Sequence, residues 1–381
     1  MKIKAGYKLT EVGVIPEDWE VKELGEIANI VRGASPRPIE DPKWFDENSP
    51  IGWVRISDVT KSIKSLTATT QKLSKLGIQS SRYVDEGNLI MSICATVGRP
   101  ILTKLNVCIH DGFVVFRNPK IEINYLYYFL SYIEGDWSKN GQTGSQMNLN
   151  TTLINTTQIP IPLVKERIAI ATALSDADDL ISSLEKLIAK KRNIKQGAMQ
   201  KLLQPKDDWE VKKLGEVCDI KKGQLITDST RVNGNIPVIA GGKMPAYFHN
   251  KPNRLGKTIT ISGSGANAGY IAFHDYPIFA SDCSTIGEKE NYSIQYIYYL
   301  MQSLQEKIYK MQTGGAQPHI HPSDLNPITI PFPPKEEQAK IATILSDMDA
   351  EITALETKLE KYRKIKLGMM QNLLTGKIRL I

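Results

Sequence analysis

Residues 170–188 read IATALSDADDLISSLEKLI, and residues 341–359 read IATILSDMDAEITALETKL. In both stretches apolar residues recur in alternating steps of four and three, which is the a/d pattern of a coiled coil. The two patterns match in phase, so we expect one long helix in each stretch and pairing of the helices along their apolar seams. The residues predicted to pair are Ile170, Leu174, Ile181, Leu184, Ile188, Ile341, Leu345, Met348, Ile352, Leu355 and Leu359.

Two lysines interrupt the first seam. Lys191 and Lys195 stand where the second helix has Tyr362 and Lys366. Polar residues at seam positions tend to fix the register and the choice of partner in a coiled coil. The alternative is that two long helices pack on globular cores, which predicts a wider apolar stripe than this narrow seam.

The chain also repeats outside the helices. Residues 18–22, DWEVK, return at 208–212 with an offset of 190 residues, whereas the helix stretches are offset by 171 residues. Both offsets are far longer than the roughly 20–50 residues of solenoid repeats, so they indicate a domain duplication. The helices keep their length while the segments before them differ, which indicates two different domains on a nearly twofold frame.

The segments 18–164 and 208–334 hold short β-like runs, punctuated by Gly, Pro, Asn and Asp, and one aromatic-rich helical stretch each. This mixture favours the α+β class for both. We predict two similar globular domains separated by two long antiparallel coiled-coil helices in a pseudo-twofold internal repeat. The predicted parts are an N-terminal segment 1–17, a first domain 18–164, a central helix and junction 165–207, a second domain 208–334, and a C-terminal helix and tail 335–381.

The charge balance suggests an anionic partner. Lys and Arg number 48 against 41 Asp and Glu, a net charge of +7, and basic residues cluster in 55–82 and 243–257. Such clusters suit phosphate contacts, although an ordinary solvated surface is an equal alternative.

The apolar runs are too short for a membrane helix, no secretory signal opens the chain, and the four cysteines are scattered. A reducing cytoplasm is therefore the expected location.

Several fragments resemble enzyme motifs but lack residues that those motifs require. Residues 255–258, LGKT, lack the upstream glycine of a phosphate-binding loop. The glycines at 263, 265 and 269 have the wrong spacing for a dinucleotide fingerprint, and a turn between two strands is favoured instead. His319 and His321 could ligate a metal, but the pattern supplies no third ligand. The sequence indicates a binding protein without its own active site.

One pair of loops suits contact with nucleic acid. Residues 141–146, GQTGSQ, recur as 312–317, QTGGAQ. Glycine backbone with Gln, Ser and Thr donors suits base edges and phosphates. The structural alternative is a polar loop that leads back to the helix.

Together these features resemble the specificity (S) subunit of type I restriction–modification systems. The resemblance rests on the opening LTEVGVIPEDWEV at 9–21, its Asp208-Trp209 echo and the GGAQ loop at 314–317. It extends to IPFPP at 330–334, EEQ at 336–338 and the helix ends at 200–203 and 371–376. These motifs, duplicated and in order, cover essentially the whole chain.

The resemblance implies two target-recognition domains, each of which reads one half of a bipartite asymmetric site in double-stranded DNA. The two helices would act as a ruler, and about 35 residues of helix span about 50 Å. Two methyltransferase subunits and two motor–nuclease subunits would bind to this chain. These partners would carry S-adenosylmethionine, ATP and Mg²⁺, while this chain would hold no cofactor, metal or catalytic residue.

The expected DNA contacts are polar loop residues, because Arg and Gln bond guanine and adenine bidentately. In the first domain they are Arg32, Arg37, Arg55, Lys61, Lys64, Arg99, Ser145 and Gln146. In the second they are Lys222, Gln224, Arg231, Lys243, Arg254, Ser264, Gln317 and His319. Two other functions stay open at this point: a restriction enzyme with intrinsic nuclease activity, and a coiled-coil adaptor without DNA contact.

Overall fold

The computed structural model describes residues 3–140 and 149–380. The chain divides into two compact units. Unit 1 comprises residues Met1–Ser183 and Leu359–Ile381, and unit 2 comprises Leu184–Lys358. Two helices of 39 residues each, α7 (Val164–Leu202) and α12 (Lys335–Leu373), contribute residues to both units, and all elements are numbered in chain order. No helix in the described ranges is long and apolar enough to cross a membrane.

Unit 1 is built from short strands and short helices. Its strands are β1 (Tyr7–Thr10), β2 (Gly13–Pro16), β3 (Glu20–Glu23), β4 (Asn29–Arg32), β5 (Gly52–Val54), β6 (Ser65–Leu66), β7 (Gln71–Lys72), β8 (Arg82–Val84), β9 (Leu89–Ser92), β10 (Pro100–Thr103), β11 (Val107–Ile109), β12 (Phe113–Arg117) and β13 (Gln158–Ile161). Its helices besides the long ones are α1 (Leu24–Ile27), a 3₁₀ turn (Pro42–Trp44), α2 (Ile56–Lys61), α3 (Lys75–Gln79), α4 (Ile123–Tyr132), α5 (Glu134–Asn140) and α6 (Thr151–Thr156).

Two sheets organise unit 1. One has the order β4-β12-β9-β10-β6 and the other β7-β5-β11-β8. Strands β9 and β12 lie in the middle of the first sheet, and nearly all their side chains are buried, as expected for strands covered on both faces. Strand β3 pairs antiparallel with β13, so the first and last strands of the mixed region are neighbours. The aromatic helix α4 packs its Tyr125 and Tyr128 into the largest core cluster of the unit.

Unit 2 repeats this plan with fewer elements. Its strands are β14 (Glu210–Lys213), β15 (Ile220–Lys222), β16 (Ile236–Ile239), β17 (Tyr247–His249), β18 (Thr258–Ser262), β19 (Ile271–His274), β20 (Phe279–Ala280), β21 (Cys283–Gly287) and β22 (Thr329–Phe332). Its shorter helices are α8 (Leu214–Val217), α9 (Ile294–Ser303), α10 (Gln305–Tyr309) and α11 (Pro322–Leu325).

The sheet orders show the duplication directly. Order β15-β21-β18-β19 in unit 2 matches β4-β12-β9-β10 in unit 1, and the pair β14-β22 matches β3-β13. The glycines at 263, 265 and 269 lie between the antiparallel strands β18 and β19, which confirms the predicted turn. The predicted α+β class with an internal repeat is confirmed.

Each long helix starts after a proline-containing strand. Strands β13 and β22 contain Pro160 and Pro331, and the helices α7 and α12 then place Glu166, Glu336 and Glu337 in their first turns. Acidic side chains are favourable there because the helix dipole is positive at its N-terminal end. The repeated Ile-Pro-(Ile/Phe)-Pro run therefore ends the mixed region and sets the helix start.

The two long helices run antiparallel in unit 2. Lys195 of α7 pairs with Asp349 of α12, and Lys191 pairs with Glu351, so the residue numbers run in opposite directions. In unit 1, Asp178 of α7 pairs with Lys366 of α12. This arrangement is the predicted antiparallel pair.

The predicted seam residues are covered to different degrees. Ile170 and Leu174 lie in the core cluster of unit 1, and Ile341 and Leu345 lie in that of unit 2, so the N-terminal turns of both helices pack against the mixed regions. Leu184, Ile188, Ile352 and Leu359 are also buried. Ile181, Met348 and Leu355 are half-buried. The contribution of each residue to helix pairing stays a prediction.

Candidate nucleic-acid interface

A basic residue followed by glycine ends the first sheet strand in both units. Arg32 is the last residue of β4 and precedes Gly33, and Lys222 is the last residue of β15 and precedes Gly223. A Cβ atom on Gly33 would lie 2.0 Å from the carbonyl oxygen of His110, and one on Gly223 would lie 2.1 Å from that of Ser281. Only glycine therefore lets the strand end pass this close to the turn before β12 or β21, and the basic side chain is fixed beside that turn.

In unit 1 this turn carries Asp111, which gathers three neighbours. Arg32 donates from Nε to the Asp111 carbonyl oxygen at 2.8 Å, and Arg37 donates to the carboxylate at 3.1 Å. The Ser35 hydroxyl donates to the other carboxylate oxygen at 2.6 Å. The Ser35 hydrogen bond and the charge of Arg37 lower the pKa of Asp111 despite its partial burial. The result is an ionised acceptor held between two exposed arginines. We call Arg32, Ser35, Arg37 and Asp111 the Asp111 cluster.

In unit 2 the corresponding turn carries Asp282, which accepts a hydrogen bond from the Ser264 hydroxyl. Asp282 and Ser264 line a cleft of about 330 Å³ together with Lys222, His319 and His321. The two imidazole rings stack with their centroids 6.0 Å apart and their planes 6° apart. Backbone bridges join His319 to Ser264 and Thr313. The Asp282 cleft thus brings together three predicted residues: Lys222, Ser264 and His319.

One further arginine in each unit bonds the backbone at the strand end. Arg82 donates from Nε to the carbonyl oxygen of Arg32 at 3.2 Å, and Arg254 donates from Nη2 to that of Lys222 at 3.3 Å. Arg254 also donates to the Thr285 hydroxyl at 3.0 Å. The two units therefore share one backbone arrangement but present different side chains on it. Donors around a fixed carboxylate acceptor suit the mixed donor and acceptor edges of bases in the major groove.

Other predicted residues of unit 1 lie elsewhere. Arg55 donates to the Gln71 side chain at 2.7 Å, and Arg99 donates to the Ser62 carbonyl oxygen at 3.0 Å. Lys61 is exposed in the last turn of α2. Ser145 and Gln146 lie outside the described residues.

Lys64 is engaged with the long helix. Its ammonium donates to the Tyr128 hydroxyl at 2.8 Å and to the Ser175 hydroxyl at 2.9 Å. Burial lowers the pKa of Lys64, and the nearby carboxylate of Asp178 opposes that shift. These contacts give Lys64 a structural role in seating α4 on α7, and its contact with DNA stays an untested prediction.

The remaining predicted residues of unit 2 are on its surface loops. Gln224, Lys243 and Gln317 are exposed, with the Lys243 ammonium 5.3 Å from the ring centroid of Tyr270. Arg231 pairs with Asp228 and donates to Asn233 at 2.9 Å. These placements leave the residues available for contact without joining them to the Asp282 cleft.

Sequence analysis missed the acids at the centre of both clusters. Asp111 and Asp282 lie in the same turn of the repeat, just before β12 and β21. Arg82 and Arg254 make the same contact with the strand end, although they pair with different positions of the neighbouring strand. Comparison of the repeats at the strand ends would have exposed them, whereas a search for cations alone passed over the carboxylates.

The histidines near these clusters differ in burial. His110 lies between the rings of Trp53 and Phe113, and burial lowers its pKa to about 4. It is therefore neutral at neutral pH and accepts the Gly112 N–H at Nδ1, 2.9 Å away.

Within residues 3–140 and 149–380, no group of three or more His, Cys, Asp or Glu side chains is arranged to hold a metal ion, and His319 and His321 have no third ligand there.

Comparisons with known proteins identify relatives over nearly the whole chain. The family model of the type I restriction modification DNA specificity domain matches residues 16–196 and again 206–364. The MjaX specificity subunit of a type I restriction enzyme of Methanocaldococcus jannaschii, so named provisionally, is 28% identical across 98% of this chain and 96% of its own length. The MjaVIII specificity subunit of the same organism is 25% identical across 96% of this chain and 94% of its own length.

The fold has solved counterparts. The S subunit of a type I restriction–modification system from M. genitalium superposes with a TM-score of 0.67 at 16% identity, over 98% of both chains. A chain from a study of complex assembly and conformational transition of the type I R-M system superposes with a TM-score of 0.62 at 18% identity, over 96% of this chain and 99% of that one. At these identities the likeness concerns the fold.

Proposed function

Because the chain belongs to the family of type I restriction–modification DNA specificity domains, we propose that it is the sequence-specific DNA-binding subunit of such a complex. Each mixed α+β region reads one half of a bipartite, asymmetric site in double-stranded DNA. The long helices set the length of the spacer between the half-sites and offer their outer faces to methyltransferase subunits.

The observation that carries this proposal is that the two units share one backbone arrangement at the strand end but present different side chains on it. Arg32-Gly33 with Asp111 and Lys222-Gly223 with Asp282 occupy the same place in the repeat. Around them, unit 1 presents Arg37 and Ser35, whereas unit 2 presents Ser264 and two histidines. Two different sets of donors on one scaffold support two different half-sites, since base readout depends on the donor and acceptor pattern.

The chemistry of modification and cleavage belongs, in this proposal, to partner subunits. Two methyltransferase subunits bind S-adenosylmethionine and methylate adenine, and two motor–nuclease subunits use ATP and Mg²⁺. This chain supplies recognition and carries no catalytic residue. The names of its relatives, which are specificity subunits, support this division of labour.

The test is DNA selection with the purified chain, alone and co-expressed with a methyltransferase subunit encoded beside it. A random duplex library should yield one consensus with two defined half-sites and an undefined spacer. Binding should weaken steeply with salt, because phosphate contacts release counterions. A library that yields no enriched sequence in either preparation would contradict the proposal and favour the adaptor function. Cleavage of DNA by the purified chain with Mg²⁺ alone would instead establish an intrinsic nuclease.

A further inference from the structure

A half-buried polar cluster joins the aromatic helix of unit 1 to both long helices. The Tyr128 hydroxyl of α4 donates to the Asp178 carboxylate of α7 at 2.7 Å. Lys366 of α12 pairs with the other oxygen of Asp178 at 2.5 Å, and its ammonium lies 5.7 Å from the Tyr128 ring centroid. The side chains of Asp178 and Lys366 are only 13% and 20% exposed, so neither charge is freely solvated.

Unit 2 contains the same cluster built from the opposite helices. The Tyr299 hydroxyl of α9 donates to the Asp349 carboxylate of α12 at 2.8 Å. Lys195 of α7 pairs with Asp349 at 2.5 Å, and its ammonium lies 5.2 Å from the Tyr299 ring centroid. The Lys195 side chain is 15% exposed. Tyr, Asp and Lys all recur at the 171-residue offset of the helix repeat.

The two clusters take their aspartate and their lysine from opposite long helices. Helix α7 gives its aspartate to the cluster of unit 1 and its lysine to the cluster of unit 2, and α12 does the reverse. Not every cross-helix pair has this symmetry. Lys191 pairs with Glu351, but the repeat counterpart of Lys191 is Tyr362. The Tyr–Asp–Lys cluster is thus a cross-helix arrangement that both repeats preserve.

An apolar seam alone specifies register weakly, because a slip by one heptad again matches apolar with apolar. A slip here would separate the half-buried Lys195 from Asp349 and Lys366 from Asp178, which is unfavourable because each lysine would lose its carboxylate while still largely shielded from water. A slip would also take Lys366 and Lys195 away from the rings of Tyr128 and Tyr299, beside which they lie. The clusters therefore favour the observed register over one slipped by a heptad.

We propose that the Tyr128–Asp178–Lys366 and Tyr299–Asp349–Lys195 clusters are positioning devices that fix the register of the long helices and the seat of each α+β region upon them. This inference rests on the proposed function, in which helix register determines the DNA spacer. The four charged residues then determine which spacer length the full chain accepts, without touching DNA.

Charge exchange in the full chain tests this. Asp349→Lys alone should lower the preference for the selected spacer over one changed by one base pair by about tenfold, equivalent to ~1.4 kcal/mol. Adding Lys195→Asp should restore the preference, because the two side chains face each other. Adding Lys366→Asp should not, because Lys366 faces Asp178; this is the matched control. The half-site sequences themselves should not change in any variant.

A second readout keeps the inference separate from DNA binding. Arg192 and Glu356 contact each other across the helices at 2.5 Å, so cysteines at these positions report register through a short bis-maleimide cross-linker. Cross-linking should fall in the Asp349→Lys chain and recover when Lys195→Asp is added. Asp349→Asn serves as the milder variant if Asp349→Lys does not fold. Unchanged cross-linking and spacer preference in the single variants, or rescue by Lys366→Asp as effective as by Lys195→Asp, would overturn the inference.

Recovery of cross-linking with no DNA selected by any chain, the parent included, would contradict the proposed function while supporting the register role of the clusters.

Discussion

The indole of Trp19 donates a hydrogen bond from Nε1 to the carboxylate of Glu166 at 3.0 Å. Trp209 donates to Glu337 in the same way, also at 3.0 Å. Each bond ties the Asp-Trp-Glu sequence that opens a repeat to the first turn of the long helix that closes it. In both cases a cation from the segment after the other long helix joins the pair: Arg379 at Glu166 and Lys206 at Glu337.

The Glu166 ion pair should stabilise unit 1 strongly. Glu166 is fully buried, and Arg379 donates to it at 2.7 and 2.9 Å. Glu166→Gln keeps an acceptor for Trp19 but removes the charge, so the free energy of unfolding should fall by about 2–3 kcal/mol. Urea unfolding measures this. Glu337→Gln is the matched control and should cost less, because Lys206 is 56% exposed. Equal losses in the two variants would refute this assignment.

Acid should destabilise unit 1 through His110. Its pKa falls from 6.5 to about 4 on folding because of burial. The unfolded chain therefore takes up this proton first, and the stability that neutral His110 provides is complete above pH 6.5 and declines towards pH 4. The decline should reach about 2–3 kcal/mol. His110→Asn retains an acceptor for the Gly112 N–H, and its unfolding free energy should vary less over this range. A pH profile identical to that of the parent chain would contradict the prediction.

The strand-end glycines should tolerate no side chain. Gly33→Ala places a methyl group 2.0 Å from the carbonyl oxygen of His110, so the strand must shift, at a cost of about 2 kcal/mol or more in unfolding free energy. Gly197→Ala in α7 is the control, because its Cβ position has no contact within 4 Å beyond its chain neighbours and the backbone of its own helix. That variant should gain up to about 1 kcal/mol from better helix propensity. Thermal unfolding distinguishes them, and a neutral Gly33→Ala would argue against the close approach.

Insertion of one heptad into each long helix should lengthen the DNA spacer. Insertions between Asp178 and Lys195 in α7 and between Asp349 and Lys366 in α12 keep both polar clusters intact. Seven residues add about 10 Å of helix, or up to about three base pairs. Selection from a library of variable spacers measures the change. An unchanged spacer, with normal binding, would show that the helices do not determine it.

Periodicity predicted the helices well because it reports which side chains avoid water. It could not tell what covers them: Leu174 has the same heptad position whether a helix or a sheet domain lies against it, and the structure places it in the core of unit 1. The role of Lys195 likewise needed Asp349, which is 154 residues away.

The residues of the candidate nucleic-acid interface were harder to predict than the long helices. Lys222, Ser264 and His319 were identified from loop chemistry and do line one cleft. Lys64 was chosen for the same reason but contacts Tyr128 and Ser175. Local sequence does not tell which way a lysine in a β-rich region turns, since that depends on packing between distant elements.

Footprinting of the full chain, co-expressed with its methyltransferase, on a selected DNA site is the most direct test of the central claim. Hydroxyl-radical protection should show two patches separated by an exposed spacer. Arg32→Ala with Arg37→Ala should abolish base preference and protection at one half-site only, and Lys222→Ala with His319→Ala at the other only. One continuous patch, or loss of both patches from either pair of substitutions, would contradict the assignment of one reading surface to each unit.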